Sequence, residues 1–214
     1  MLQNLPLFSL PSGRTGPLWA AFASALLMLG FFPMAHAAAP QTDCPPLLQH
    51  TFPRLQDEKP QNLCQYRGRV LLVVNTASYC GYTGQYEGLE ALHRRYQERG
   101  LVVLGFPSND FRQEKASNAE IAEFCENTFG IRFPMFAASS VRGPQASAFY
   151  QQLAATAGQA PSWNFHKYLI DRSGQVVGAF PAAMPPEGRP LVREVERLLA
   201  QPVPPAPVSR AAPR

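Results

Sequence analysis

Four cysteines, at positions 44, 64, 80 and 125, are the residues of this chain best equipped for chemistry. Cys80 opens the run Cys80-Gly81-Tyr82-Thr83, so a threonine stands where a dithiol oxidoreductase carries its second cysteine. A thiolate at this position has no neighbour with which to close a local disulfide, and disulfide shuffling through the motif is disfavoured. A lone activated thiolate is suited instead to attacking a peroxide oxygen and becoming a sulfenic acid. Cys44 and Cys64 lie upstream, and in an oxidising compartment they read as a structural disulfide that pins the amino-terminal arm. Closing a loop of about twenty residues is worth about 3 kcal/mol in the chain-entropy account. One reading of Cys125, beside Ile121 and Phe124, is a buried core thiol. His36, His50, His93 and His166 form no ligand spacing with one another or with the cysteines, so no metal site is expected.

The elements that must position Cys80 can be laid out from periodicity. Residues 70–76 (VLLVVNT) form a continuous, largely β-branched run, the signature of a strand buried on both faces. Residues 83–99 follow with Leu89, Leu92 and Tyr96 on one helical face and Gly100 as a stop. Residues 101–106 (LVVLGF) are a second buried strand, and two such strands joined by a helix make a right-handed βαβ unit with a parallel pair. Ser117-Asn118-Ala119-Glu120 is a capping box opening a helix that carries Ile121, Phe124 and Cys125 and stops at Gly130. A further helix is expected over 145–155, anchored by Phe149 and Leu153. Strands at 168–170 and 175–180 flank Asp171-Arg172-Ser173-Gly174, a hairpin signal. A last helix over 190–200 opens on a proline and turns Leu191, Val195 and Leu198 inward. The order β-α-β-α-α-β-β-α describes an α/β, thioredoxin-like fold, a central mixed sheet flanked by α-helices. Cys80 falls just past the carboxyl end of the first buried strand, where reaction sites of such sheets gather. The helix start that follows favours thiolate over thiol.

Composition narrows the class. Of 214 residues, 46% are hydrophobic and only 16% charged, which excludes a disordered chain. The net charge of +4 comes with no run of four basic residues, so nucleic-acid binding has no electrostatic footprint. Residues 18–32 (LWAAFASALLMLGFF) are too short for an ordinary spanning helix and no second such stretch exists, which excludes a polytopic membrane protein. Arg14 precedes that stretch, and Ala35-His36-Ala37 suits cleavage before Ala38, so residues 1–37 read as a signal peptide. An uncleaved amino-terminal anchor is the alternative. With cleavage the protein is exported, with the periplasm as its expected location and no membrane attachment. Residues 201–214 hold five prolines in fourteen positions and read as a disordered Pro/Ala-rich tail, or alternatively as a docking peptide. Between them, residues 38–200 form one domain, long enough to bury about 70% of its unfolded surface.

Three blocks along that domain resemble the glutathione peroxidase family. The first is Val74-Asn75-Thr76-Ala77-Ser78-Tyr79-Cys80-Gly81-Tyr82-Thr83 with Gln85-Tyr86-Glu87-Gly88-Leu89. The second is Gly105-Phe106-Pro107-Ser108-Asn109-Asp110-Phe111 with Gln113-Glu114, and the third is Trp163-Asn164-Phe165 with Lys167. The resemblance implies a peroxidatic Cys80 assisted by Gln113, Trp163 and Asn164, whose N–H groups can donate to the sulfur anion or to the departing oxygen. Topology supports the grouping, because Gln113 follows the second parallel strand and Trp163-Asn164 precede an antiparallel third, at one sheet edge. Ser108 and Asp110 depart from the family's common Cys and Gln, the segment 111–113 is tighter than in many members, and Asp110 adds negative charge near the thiolate unless it points away. His166, within the third block, is expected at the surface or in a hydrogen bond.

Cysteine-type members that use thioredoxin carry a resolving cysteine on the segment of Cys125. The resemblance thus implies that Cys125 resolves the Cys80 sulfenate after local unwinding of its helix. The short stretch 156–162 lacks the insertion that tetrameric members use, which implies a monomer recycled by a thioredoxin-like reductant. Glutathione remains the other candidate co-substrate, although no Arg cluster for its carboxylates can be identified. The implied activity is reduction of hydrogen peroxide and organic hydroperoxides with no resident cofactor. The competing readings are a disulfide oxidoreductase, which Thr83 disfavours, and a non-catalytic exported binding protein or redox sensor. A copper-carrying module lacks the second cysteine it would need.

Overall fold

The computed structural model describes residues 44–204; the cleavage motif, the apolar stretch at 18–32 and most of the Pro-rich tail lie outside them. The chain enters through a small antiparallel hairpin, β1 (Thr51–Pro53) and β2 (Pro60–Asn62), that places Phe52 opposite Gln61. Next come β3 (Val70–Thr76), α1 (Gln85–Tyr96), β4 (Leu101–Pro107), α2 (Asn118–Phe129), α3 (Ala148–Ala157), β5 (Lys167–Ile170), β6 (Val176–Phe180) and α4 (Arg189–Leu199). The sheet order is β4-β3-β5-β6. β3 and β4 are parallel, from Val70 opposite Leu101 to Thr76 opposite Pro107, whereas β5 is antiparallel to both β3 and β6. This is the mixed, helix-flanked sheet expected of a thioredoxin-like fold.

Every residue of β3 is buried, because both of its faces are covered. Leu72 and Val74 point to a core shared with Tyr86 and Leu89 of α1, Ile121 and Cys125 of α2, and Leu191 and Val195 of α4. Leu71 and Val73 point the other way, to Phe149, Tyr150 and Leu153 of α3 and to Phe52 of the hairpin. Burial of a single Leu or Phe contributes about 1.5–3 kcal/mol, so this two-sided strand is where the framework is most strongly fixed. Gly105 of β4 lets the 133–136 segment press against the sheet, since a Cβ there would come within 2.2 Å of the Met135 sulfur.

Element boundaries shift from the periodicity in ways local chemistry explains. α1 begins at Gln85 instead of 83, because the Thr83 hydroxyl is engaged in the turn before it. It ends at Tyr96, and a single 3-10 turn at Gln97–Arg99 carries the chain to Gly100 in the left-handed region. α3 begins at Ala148 because Ser147 is its cap, its hydroxyl accepting the Tyr150 N–H, and it runs on to Ala157 before Gly158. The capping box at Ser117 and Glu120 forms with both of its hydrogen bonds. Cys44 and Cys64 are disulfide-bonded with Cα atoms 5.4 Å apart, tying the entry segment to the turn after β2. Residues 201–204 lie outside helix or strand and are exposed.

Candidate active site

Cys80 sits in a chain of tight turns between β3 and α1. The Thr83 hydroxyl accepts the Cys80 N–H at 3.0 Å and donates to the Ala77 carbonyl at 2.9 Å, while the Thr83 N–H returns to the Cys80 carbonyl. A threonine that satisfies backbone groups in this way competes with helix, which is why α1 starts late. Cys80 is a free thiol, 8% exposed, and its Sγ accepts the Tyr82 N–H at 3.4 Å. Partial positive charge therefore reaches the sulfur through a backbone amide of the turn ahead of α1.

The second block closes over this turn from the end of β4. The Tyr79 N–H donates to the Gln113 carbonyl at 2.9 Å, and the Ser78 N–H donates to a Glu114 carboxylate oxygen at 3.0 Å. Glu114 is buried, its other oxygen has no protein partner, and burial pushes its pKa up. The tightness of 111–113 is absorbed at Arg112, which adopts φ +57° and donates its N–H to the Asn109 carbonyl. Asp110 points away from the thiol. Its carboxylate accepts the Ser140 hydroxyl and the N–H groups of Val141 and Arg142, and so anchors the 140–142 loop.

The third block arrives at the amino end of β5. Asn164, fully buried, donates its Nδ2 to the Gln113 side-chain oxygen at 2.9 Å, so two residues fifty-one positions apart are joined directly. That bond uses the oxygen of Gln113 and leaves its NH2 group as a donor. Trp163 is 40% exposed with its ring 5.2 Å from that of Phe111. Among the described residues, Tyr82 alone donates a hydrogen bond to Cys80 Sγ; the donors of Gln113, Trp163 and Asn164 do not reach it in this resting state. Asn75 holds the block in place, donating its side-chain N–H to the Trp163 carbonyl and accepting the Phe165 N–H at its own carbonyl. Phe165 is held at φ +63°, a conformation that costs a bulky L-residue about 1–3 kcal/mol. The signal that could have found Asn75 was in plain view, a lone amide inside an otherwise apolar buried strand.

Cys125 is the second free cysteine. It is buried in the same apolar core as Cys80, on the inner face of α2, and is not bonded to it. Burial pushes its thiol up to about 11, with the Tyr86 hydroxyl pulling the other way. Behind it lies a cavity of about 240 Å³ lined by Ala122, Cys125, Ile131 and Phe133 among others. Among the described residues, no group of three His, Cys, Asp or Glu is arranged to hold a metal ion.

His166 corrects the sequence expectation, being neither at the surface nor hydrogen-bonded. It is 2% exposed, neither ring nitrogen has a partner, and its ring packs edge-on against Tyr168 at 4.7 Å. His166 stands directly before Lys167, the first residue of a strand buried throughout, so polarity in the sequence gave no warning. Burial, and the Lys167 charge after it, lowers the His166 pKa to about 4, against 6.5 when exposed. The unfolded chain then binds a proton between pH 6.5 and 4 that the folded chain does not, and stability falls as pH falls through that window. We expect this loss to reach up to about 3 kcal/mol and to be absent from His166→Leu, as urea unfolding at pH 7 and pH 4.5 would report. An equal acid loss in both proteins would show that other groups carry it.

Comparison with known proteins places the chain in a family. The sequence model of the glutathione peroxidase family matches residues 49–154, which include Cys80, Gln113 and Cys125, while Trp163 and Asn164 lie beyond that match. The glutathione peroxidase-like peroxiredoxin gpx1 of Schizosaccharomyces pombe is 41% identical over 152 residues, 69% of this chain and 95% of its own. The hydroperoxy fatty acid reductase gpx1 of Synechocystis is 42% identical over 154 residues, covering 67% and 90%. Among solved structures, T. cruzi GPX1 superposes with a TM-score of 0.56 at 32% identity, covering 72% of this chain and 95% of that one. A thioredoxin-family thiol:disulfide interchange protein from Chlorobium tepidum reaches 0.52 at 19% identity over 76% and 99%, a likeness of fold alone. With a free thiol in the turn before α1 and relatives matched over nearly their whole length, the chain belongs to the glutathione peroxidase family and is a peroxidase.

Proposed function

We propose that Cys80 is the peroxidatic nucleophile of a thiol-dependent peroxidase that reduces hydrogen peroxide and organic hydroperoxides. The observation that carries this reading is the setting of Cys80, a free thiol on a backbone N–H, with Thr83 in the place of a second cysteine and the Gln113–Asn164 pair held at the same sheet edge. The Cys80 thiolate attacks the terminal peroxide oxygen, the O–O bond breaks, and the leaving alkoxide or hydroxide takes a proton to depart as alcohol or water. Cys80 is left as a sulfenic acid. The NH2 group of Gln113 and the indole N–H of Trp163 serve as donors to the developing oxyanion, with Asn164 orienting Gln113.

Cys125 then attacks the sulfenate sulfur, forming a Cys80–Cys125 disulfide with release of water. In the resting fold its thiol is buried and held protonated, so this step requires α2 to open locally, and the cavity behind Cys125 gives that face room to move. A thioredoxin-like dithiol returns both cysteines to thiols; glutathione is the alternative reductant. We read the enzyme as a monomer exported to the periplasm, with residues 1–37 removed as a signal peptide, 38–200 as the peroxidase domain and 201–214 as an extended tail. The Cys44–Cys64 disulfide supports the oxidising compartment.

Peptide mass mapping of the prereduced protein after one equivalent of peroxide tests the scheme. We expect a Cys80–Cys125 disulfide in the wild type and a trapped Cys80 sulfenic acid in Cys125→Ser. With a thioredoxin-like reductant, turnover of that variant should fall at least about tenfold, because each cycle then waits on an external thiol. A wild-type sulfenate with Cys125 still free points to a one-cysteine cycle run by glutathione. An untouched Cys80 sinks the peroxidase scheme.

A further inference from the structure

Lys167 is a fully buried ammonium group whose hydrogen bonds go to neutral oxygens. It is the first residue of β5, opposite Val74 on one side and Phe180 on the other. Its Nζ donates to the Gln85 side-chain oxygen at 2.6 Å and to the Phe165 carbonyl at 2.7 Å. A buried charge without a carboxylate opposes folding, and an apolar side chain in its place would escape that cost but leave the Gln85 and Phe165 oxygens without a donor. What the amine supplies against the cost of its burial is a pair of hydrogen bonds that join two separate segments.

The two partners indicate what that pair is for. Phe165 closes the Trp163-Asn164-Phe165 turn in the left-handed region, a state that persists only when the surroundings over-determine it. Gln85 is the first residue of α1, directly after the turns that carry Cys80, and its own NH2 group donates to the Ala182 carbonyl at 2.7 Å. Asn75 fastens the same turn to the end of β3. The Lys167 side chain thus spans from the turn that presents Trp163 and Asn164 to the helix start behind Cys80.

We propose that Lys167 is a positioning residue that sets the spacing between the Cys80 turn and the Trp163–Asn164 turn. The proposal deepens, and rests on, the reading of Cys80 as nucleophile with Asn164 and Trp163 beside it. Burial lowers the Lys167 pKa to about 7, so the amine is present in both forms near neutrality. A neutral amine still has two N–H groups for its two acceptors, so the geometry survives titration. What Lys167 contributes is reach and donor count.

The test compares wild type, Lys167→Met and Gln85→Met as full-length chains carrying Trp19→Phe, so that Trp163 is the sole tryptophan and can be excited selectively. Lys167→Met keeps the unbranched shape and most of the length of the side chain and removes its donors. We expect its thermal midpoint to change little, relief of the buried charge offsetting the two oxygens left without a donor, and its Cys80 alkylation by iodoacetamide to stay within about twofold. The rate constant for Cys80 oxidation by hydrogen peroxide should fall 10- to 100-fold, with Trp163 fluorescence more accessible to acrylamide. Gln85→Met should move the same readings in the same direction by less, and covers the case in which Lys167→Met does not fold. Peroxide oxidation within twofold of wild type in both variants overturns the proposal. So does an equal fall in alkylation and peroxide rates, which would put the effect on the thiol alone. A wild-type Cys80 that peroxide does not oxidise defeats the peroxidase reading itself, independently of Lys167.

Discussion

Replacing Cys80 by serine should lower peroxide consumption at least about a thousandfold, equivalent to about 4 kcal/mol of transition-state stabilisation. The hydroxyl keeps the size of the group and can still accept the Tyr82 N–H, so the turn before α1 should stand as in the wild type. What disappears is a polarizable sulfur nucleophile; a serine hydroxyl with no adjacent base does not attack an O–O bond. Stopped-flow peroxide consumption beside a thermal unfolding curve separates the two effects. A Cys80→Ser protein that is folded and retains a tenth of the activity would move the reaction to another residue, and Cys125 would be the one to examine.

Asn164→Ala should cost about a hundredfold in the rate of Cys80 oxidation, the range seen when one donor at a developing oxyanion is removed. Asn164 acts through the Gln113 side-chain oxygen, which accepts its Nδ2. Alanine leaves that oxygen unpartnered in a buried place, at about 1–3 kcal/mol of stability, and lets the Gln113 amide rotate away from the peroxide. Because one residue orients the other, Gln113→Ala combined with Asn164→Ala should be little slower than the worse single variant, the mark of coupled positions. Losses that simply add would mean that the pair acts independently and that the bond between them is incidental. Trp163 is half-buried by comparison, and packs on Phe111.

The framework was legible wherever burial repeated along the chain. Two apolar runs at 70–76 and 101–106 announced the parallel pair, since a strand covered on both faces needs no alternation. The capping box at Ser117 placed α2 to the residue. The β1–β2 hairpin was not legible, because its strands are only three residues long, mostly polar, and each carries a proline at the end next to the turn; Phe52, wedged against Phe106 and Phe149, is what fixes it. Of the candidate site, the three sequence blocks named the residues, but their contacts depend on backbone detail that spacing does not express. The direct Asn164–Gln113 bond, the left-handed Arg112 and Phe165, and the Asn75 clamp on both sides of the third block are of this kind. His166 failed as a surface residue because charge and polarity are weak guides inside a block whose backbone is pinned on both sides. Lys167 next to it illustrates the same point more strongly.

Thr83 governs how many electrons this loop can store. Its oxygen is committed to two backbone groups, and it leaves the turn with a single sulfur that can change oxidation state. In the scheme proposed above, the loop takes one oxygen atom from a peroxide in each cycle but cannot discharge itself. Every cycle must import its reducing equivalents from another element or another molecule. Thr83→Cys, which puts sulfur for oxygen and removes a methyl group, would loosen the turn, since a thiol is a weaker hydrogen-bonding partner, and would give the loop the means to close a disulfide within four residues. A rigid turn that hands its oxidation onward and a looser one that shuttles thiols are thus separated, on this backbone, by the choice of one side chain at position 83.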